Sequence, residues 1–203
     1  LRDTADPDDM NKTGYFGSER EGGFAEYTTT PARNALAVTS DLSDAELATF
    51  SCSYSTAEGM LTRAQVGPDD TVLIPGASGG VGGALVQLAK RRGARVIAMA
   101  SDAKHKDVAV LYPDKILPRA PENLRAALGD EKITVVADIV GGPYWPVLID
   151  VLERGGRYTC SGAIAGPMVE LDLRTFYLRD LTFTGSTVIT PGVMPNLIRY
   201  IEN

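Results

Sequence analysis

"TVLIPGASGGVGGALVQLAKRRGARVIAMAS", residues Thr71 to Ser101, joins an apolar run to a helix-like run through five glycines in the eight positions from Gly76 to Gly83. The first run reads as a buried strand and the second as a helix, so the chain must turn sharply between them. Residues without a Cβ let a diphosphate lie against the backbone at such a turn, beside the positive amino end of the helix. Gly76, Gly79 and Gly82 supply turn, close approach and helix packing in a GxxGxxG spacing, one residue longer than the usual GxGxxG. A second strand, "ARVIAMA", leads to Ser101, 19 residues past Gly82, where a ribose-contacting residue is expected. Strand, glycine turn, helix and spacing together point to dinucleotide binding.

Working outward, apolar strand-like runs alternate with helical patterns. A helix is expected over 80–92, a weak one near 103–111, a strand at "KIL", a helix over 121–128, a strand at "ITVVADIV", a helix over 143–153 and a strand at "GRYTCSG". Strands apolar on both faces and separated by helices predict an α/β fold: a Rossmann-type doubly wound parallel sheet covered on both sides. Upstream, Ser43 followed three residues later by Glu46 is a capping-box start for a helix running to about Gln65. "GGFAEYTTTPARNALAVTS" carries strand-like runs broken by Pro31. Residues 1–23 are polar and Asp/Gly-rich without periodicity, which reads as a loop. There is no internal repeat.

The chain has 203 residues, 44% of them hydrophobic, enough for one sizeable α/β core or a core plus part of a second domain. Its formal net charge of -6 repels phosphate backbones, so nucleic acid is not an expected partner. Two cysteines, Cys52 and Cys160, make no disulfide framework, and a reducing cytoplasm is the expected location. The polar start lacks the pattern of a signal peptide, and no apolar run is long enough to predict a membrane span.

The glycines also satisfy GxxxGxG at Gly76, Gly80 and Gly82, the pattern of short-chain dehydrogenases. That chemistry needs a tyrosine with a lysine four residues on, and no tyrosine here is followed in that way. A phosphate loop would need Gly-Lys-Ser/Thr at the helix start, where Gly82, Gly83 and Ala84 stand.

"CSYSTAEGMLTRAQVGPDDTVLIPGASGGVG", "VVADIVGGPYWPVLIDVLERGGRYTCSGA", "LRDLTFTGST" and "GGFAEYTTTPARNAL" resemble the medium-chain dehydrogenase/reductases, the superfamily of zinc-type alcohol dehydrogenases and quinone oxidoreductases. The match covers nearly everything from Gly22 to Asn203. The resemblance implies a fragment of a longer enzyme: residues 1–50 as a remnant of a GroES-like catalytic domain and 51–203 as a Rossmann domain cut short at its carboxyl end.

It also implies roles residue by residue. Thr56 corresponds to a threonine near the nicotinamide, or else merely bonds its own helix. Ser78 belongs to the glycine turn, and the amides of Gly80 and Val81 face the diphosphate. Val140, Gly141, Gly162 and Ala163, after two strands at the carboxyl edge, line the nicotinamide end or serve as ordinary strand-end turns. Ser101 leaves room for a 2′-phosphate, with Lys104 as its partner and Lys106 and Arg119 nearby; this favours NADP(H), whereas Asp102 on the ribose would favour NAD(H). Asp138 is expected to accept a loop amide without a catalytic role. Cys52 matches a catalytic zinc ligand of the zinc-dependent branch, but a single ligand cannot make a site, so zinc is expected only in a full-length parent. His105 is expected to be a solvated helix residue, and Tyr144, Trp145 and Tyr158 core or domain-face residues.

The expected function is hydride transfer between nicotinamide and a carbonyl/alcohol pair or an activated alkene or quinone, with this chain holding the cofactor and turning over no substrate alone. The alternative is a non-catalytic dinucleotide-binding sensor or structural protein. The stretch around Leu181 to Val188 resembles the family strand that lies at the sheet edge and pairs across a twofold axis, and this resemblance implies a homodimer, probed by Phe183→Lys.

Overall fold

The computed structural model describes residues 14–203 and, further upstream, the backbone of Arg2 and Asp3. The expectation of a loop over 1–23 falls partly outside the described residues. Within them, β1 (Arg2–Asp3) pairs antiparallel with β2 (Gly14–Tyr15).

The helix begun by the Ser43 cap is present. The Glu46 N–H donates to Ser43 Oγ at 3.4 Å and the Ser43 N–H donates to the Glu46 carboxylate at 2.9 Å, closing the capping box over α1 (Asp44–Thr49). The helical path continues through a π turn (Phe50–Tyr54) into α2 (Ser55–Arg63) and stops where Gln65 takes a left-handed φ of 52°. A π turn widens one turn of a helix and re-aims the side chains on it. Here it lays Ser53 against the glycine turn.

The strand-like runs after Gly22 form no strand. Residues 21–43 are irregular apart from one 3-10 turn (Ala32–Asn34), and Phe24 and Tyr27 are fully exposed. A strand persists only where its backbone groups find partners, and none of the described residues supplies them here.

The expected doubly wound sheet is present: β3 (Thr71–Pro75), β4 (Arg95–Ala100), β5 (Lys115–Pro118), β6 (Ile133–Asp138), β7 (Leu152–Cys160) and β8 (Thr182–Gly185), all parallel, in the order β5-β4-β3-β6-β7-β8. The double-sided apolar pattern has a direct physical reading. Val72 and Ile74 of β3, with Val96 and Ala98 of β4, point into one core with Met60 of α2 and Leu85 of α3 (Gly80–Arg91). Leu73, Ile97 and Met99 point into the other. The short α4 (His105–Ala109) contributes Val108 to the first core, while α5 (Leu124–Leu128) and α6 (Trp145–Asp150) cover the second.

Three helices are shorter than their patterns suggest. The 121–128 helix starts at Leu124 because Asn123 caps it, its Oδ1 accepting the Ala126 N–H at 2.9 Å. The 143–153 helix ends at Asp150 because β7 begins at Leu152, paired with Ile133 across a bulge. The 103–111 pattern splits into a 3-10 turn (Asp102–Lys104) and α4.

The carboxyl end folds as α7 (Leu173–Leu178), edge strand β8 and α8 (Val193–Glu202). Phe183 is half-buried on β8, its ring within 4.8–5.7 Å of those of Phe176, Tyr158 and Trp145. That residue belongs to the core, so Phe183→Lys would disrupt the fold before it reported on pairing. No helix among the described residues is long and apolar enough to cross a membrane.

Candidate functional site

Three loops meet at the carboxyl edge of the sheet. The first is the glycine turn between β3 and α3. Gly76 has φ +69°, and a Cβ there would fall 2.9 Å from Val140 Cγ2. The Ala77 N–H donates to Met99 O at 3.0 Å, fastening the turn to β4. Gly79 is the N-cap of α3 and offers no side chain, so the amides of the helix's first turn are free of a side-chain cap. A Cβ on Gly80 would lie 2.7 Å from Ser53 Oγ, and one on Gly82 only 2.1 Å from Gly76 O. The roles read for Gly76 and Gly82, turn and helix packing, are thus what the backbone requires.

The second loop follows β6. Asp138 is fully buried, and its carboxylate accepts the Val140 N–H at 2.7 Å and the Gly141 N–H at 3.2 Å, as expected of a residue holding a loop. The third follows β7. Gly162 sits so close to Ile139 that a Cβ would meet its carbonyl oxygen at 2.8 Å, while a Cβ on Gly141 would lie 3.3 Å from Ala163 Cα. Val140, Gly141, Gly162 and Ala163 are therefore brought together with Gly76.

A cleft of about 350 Å³ opens at the amino end of α3, where Ser53, Ser78, Gly79, Gly80, Gln87 and Asp107 are among its walls. Ser101 and Lys104 stand exposed beyond the end of β4, and the Lys104 ammonium donates to the Asp107 carboxylate at 2.9 Å. Lys106 and Arg119 are exposed as well. Thr56 is half-buried in the first turn of α2 and is not part of the cleft wall, although Ser53 and Tyr54 just before it are. His105 departs from the expectation of a solvated residue: its ring lies half-buried with Nε2 3.1 Å from Ala100 O, fixing the helix to the end of β4.

Of the aromatic residues read as core or domain-face, Trp145 and Tyr158 lie in the second core and Tyr144 packs half-buried against it. Tyr144 donates its hydroxyl to Pro121 O at 2.8 Å, and Tyr158 donates to Asp138 at 2.8 Å. Burial, joined by the Asp138 charge, pushes the Tyr158 hydroxyl well above its ordinary value. The Tyr158 bond to Asp138 and the Ser53 approach to Gly80 were missed in the sequence. Each joins residues 20 or more apart, and no local pattern reports such pairs.

As for metal, Cys52 is exposed on the π turn, and no group of three His, Cys, Asp or Glu side chains converges among the described residues. These residues alone do not fit a zinc site.

Parallel order, glycine turn and converging loops define an α/β protein of the Rossmann-like, medium-chain dehydrogenase/reductase type. The profile of the zinc-binding dehydrogenase family matches residues 80–203, and the chain belongs to that family. It is 30% identical to an acryloyl-coenzyme A reductase of Metallosphaera sedula over 86% of its own length and 52% of the relative's. Among solved structures, a Sinorhizobium meliloti 1021 protein provisionally described as an alcohol dehydrogenase superposes with a TM-score of 0.90 at 46% identity, over 96% of this chain and 55% of the other. A cobalt- and zinc-bound thermostable alcohol dehydrogenase of Pyrobaculum aerophilum gives 0.80 at 34% identity, over 93% and 55%. The chain spans about half the length of these proteins.

Proposed function

We propose that this chain supplies the dinucleotide-binding part of an NADP(H)-dependent oxidoreductase acting on a carbonyl/alcohol pair or an activated alkene or quinone. The observation that carries the reading is the uncapped amino end of α3, exposed at the carboxyl edge beside two further glycine-bearing loops. Uncapped amides and the helix dipole favour an anion there, and a diphosphate is an anion that must approach backbone closely. In this reading Ser78, Gly79, Gly80 and Val81 receive the diphosphate, and Val140, Gly141, Gly162, Ala163 and Thr56 bound the nicotinamide. Ser101 and Lys104 meet the adenosine ribose. Residues 51–203 form the cofactor domain and 1–50 belong to a catalytic domain.

When bound, the dinucleotide supplies the hydride. The chain's own residues orient it: the glycine turn fixes the phosphates, and the loops after β6 and β7 form the floor under the ring. The alcohol and enoyl-type activities named for the relatives support both substrate classes equally. Among the described residues β8 is the last strand of the sheet, and such an edge fits pairing with a second copy across a twofold axis.

A rival reading has a specific observation in its favour: Lys104 already pairs with Asp107, and Asp102 beside it is exposed and able to bind the ribose of NAD(H). An exposed pair of this kind is worth only about 0.2–1 kcal/mol, less than a charge-assisted bond to a dianionic phosphate. Calorimetric titration of both cofactors decides between them. NADP(H) is expected to bind more tightly than NAD(H), and Lys104→Ala to lose about tenfold of that affinity. Equal affinities, or tighter NAD(H), would place Asp102 on the ribose instead.

A further inference from the structure

We infer that Asp138 is a positioning residue for the nicotinamide half of the site: its carboxylate sets the loop after β6, while the adenosine half is held independently of it. The inference rests on the dinucleotide reading above.

The carboxylate has no exposed surface and ends β6 at the centre of the carboxyl edge. Burying a carboxylate costs several kcal/mol unless donors surround it, so a residue serving only to fill space would be apolar. Here three neutral donors converge on it. The Val140 N–H reaches Oδ1 at 2.7 Å, the Gly141 N–H lies 3.2 Å from both oxygens, and the Tyr158 hydroxyl reaches Oδ2 at 2.8 Å. An ionised carboxylate accepts from all three at once, whereas an asparagine would offer its oxygen to the two amides without the charge and force the Tyr158 hydroxyl to reverse from donor to acceptor.

What the carboxylate holds is the least self-determined stretch of the edge. Gly141 lies at φ 60°, ψ -146°, a region that only glycine populates readily, and Gly142 follows with φ +72°. Two such glycines in succession have the most conformational freedom to lose on ordering, so they need an external anchor. With Asp138 in place, Val140 packs over Gly76, the Ala165 N–H donates to Val140 O at 2.8 Å and the Gly142 N–H donates to Gly166 O at 3.0 Å. One side chain thereby sets the loop after β6 relative to both the glycine turn and the loop after β7. Ser101 and Lys104 follow β4, which lies on the other side of β3, and are fastened through Ala100 and His105. The perturbation should therefore divide cleanly between the two halves of the ligand.

The test compares wild type, Asp138→Asn and Tyr158→Phe. Each is titrated with the reduced dinucleotide that the wild type prefers and with the matching adenosine half, adenosine 2′,5′-bisphosphate for NADPH or AMP for NADH. Asp138→Asn is expected to weaken the dinucleotide about tenfold, roughly what turning charge-assisted bonds into neutral ones costs, and Tyr158→Phe about threefold, for the loss of one buried hydrogen bond. The nicotinamide fluorescence of the bound dinucleotide should move toward its value in water, and affinity for the adenosine half should stay within about twofold. An unchanged adenosine-half affinity also certifies the fold, and Tyr158→Phe carries the test alone if Asp138→Asn does not fold. Equal weakening of both ligands, or of neither, overturns the positioning role. If the wild type binds neither ligand, the dinucleotide reading itself falls and takes this inference with it.

Discussion

Gly82 and Gly83 are neighbours in the first turn of α3, and the structure predicts opposite consequences for placing alanine at each. A Cβ on Gly82 would fall 2.1 Å from Gly76 O and 2.8 Å from Ala77 Cα, both backbone atoms of the turn. No side-chain rotation relieves that contact, so α3 must lift from the turn by about 1 Å or more to restore van der Waals separation. Overpacking of this kind costs about 1–3 kcal/mol, and the helix preference of alanine over glycine returns up to about 1. With the clash at the severe end of its range, Gly82→Ala should lose about 2 kcal/mol, or about 4–8 °C in Tm for a chain of this size. At Gly83 the nearest atom is Leu111 Cδ1, 3.3 Å away at the tip of a half-buried side chain that can swing aside. There the propensity gain of about 0.5–1 kcal/mol should dominate and raise Tm by about 1–4 °C. Thermal unfolding of the two variants beside wild type, followed by far-UV circular dichroism, reads both signs. A Gly82→Ala protein as stable as wild type, or a Gly83→Ala protein destabilised as much as its neighbour, would refute the claim that contact with the turn makes the second of these two glycines dispensable and the first not.

Two further outcomes follow from charge and topology. Arg95 binds Glu131 through two hydrogen bonds, of 2.6 and 2.8 Å, and holds its carboxyl below the ordinary value of 4.5. A depressed carboxylate stabilises the fold above its unfolded pKa and loses that contribution as pH falls through the folded one; urea midpoints should therefore drop below about pH 4.5, and less steeply in Glu131→Gln. For the proposed pairing of β8, light scattering behind a sizing column should give twice the chain mass at high concentration, and a mass of one chain throughout would remove the dimer.

The sheet and its helices could be read from the sequence because each strand's apolar run and each helix's spacing lies within ten or so residues. Val72 and Leu73 alternate between two cores, and that alternation is written in four consecutive letters. The glycine turn was readable for the same reason. Helix ends were less so, since the early stop of α6 depends on Ile133 pairing with Leu152, a contact between separate segments. The runs around Phe24 and Tyr27 show the complementary failure: strand propensity without a partner edge leaves irregular chain. The site depends most on such distant partners. Gly162 owes its lack of a side chain to the Ile139 backbone, Gly76 to Val140 together with its own positive φ, and Gly80 faces Ser53 Oγ, so each glycine meets a residue well removed in sequence. A glycine's position can thus be read locally while its necessity cannot. The same holds with more force for Asp138, whose two amide partners lie within three residues but whose third donor, Tyr158, comes from the next strand. Local letters suggest a loop cap; only the arrival of β7 closes the ring of donors around the buried charge and turns a cap into a fixed floor for the carboxyl edge.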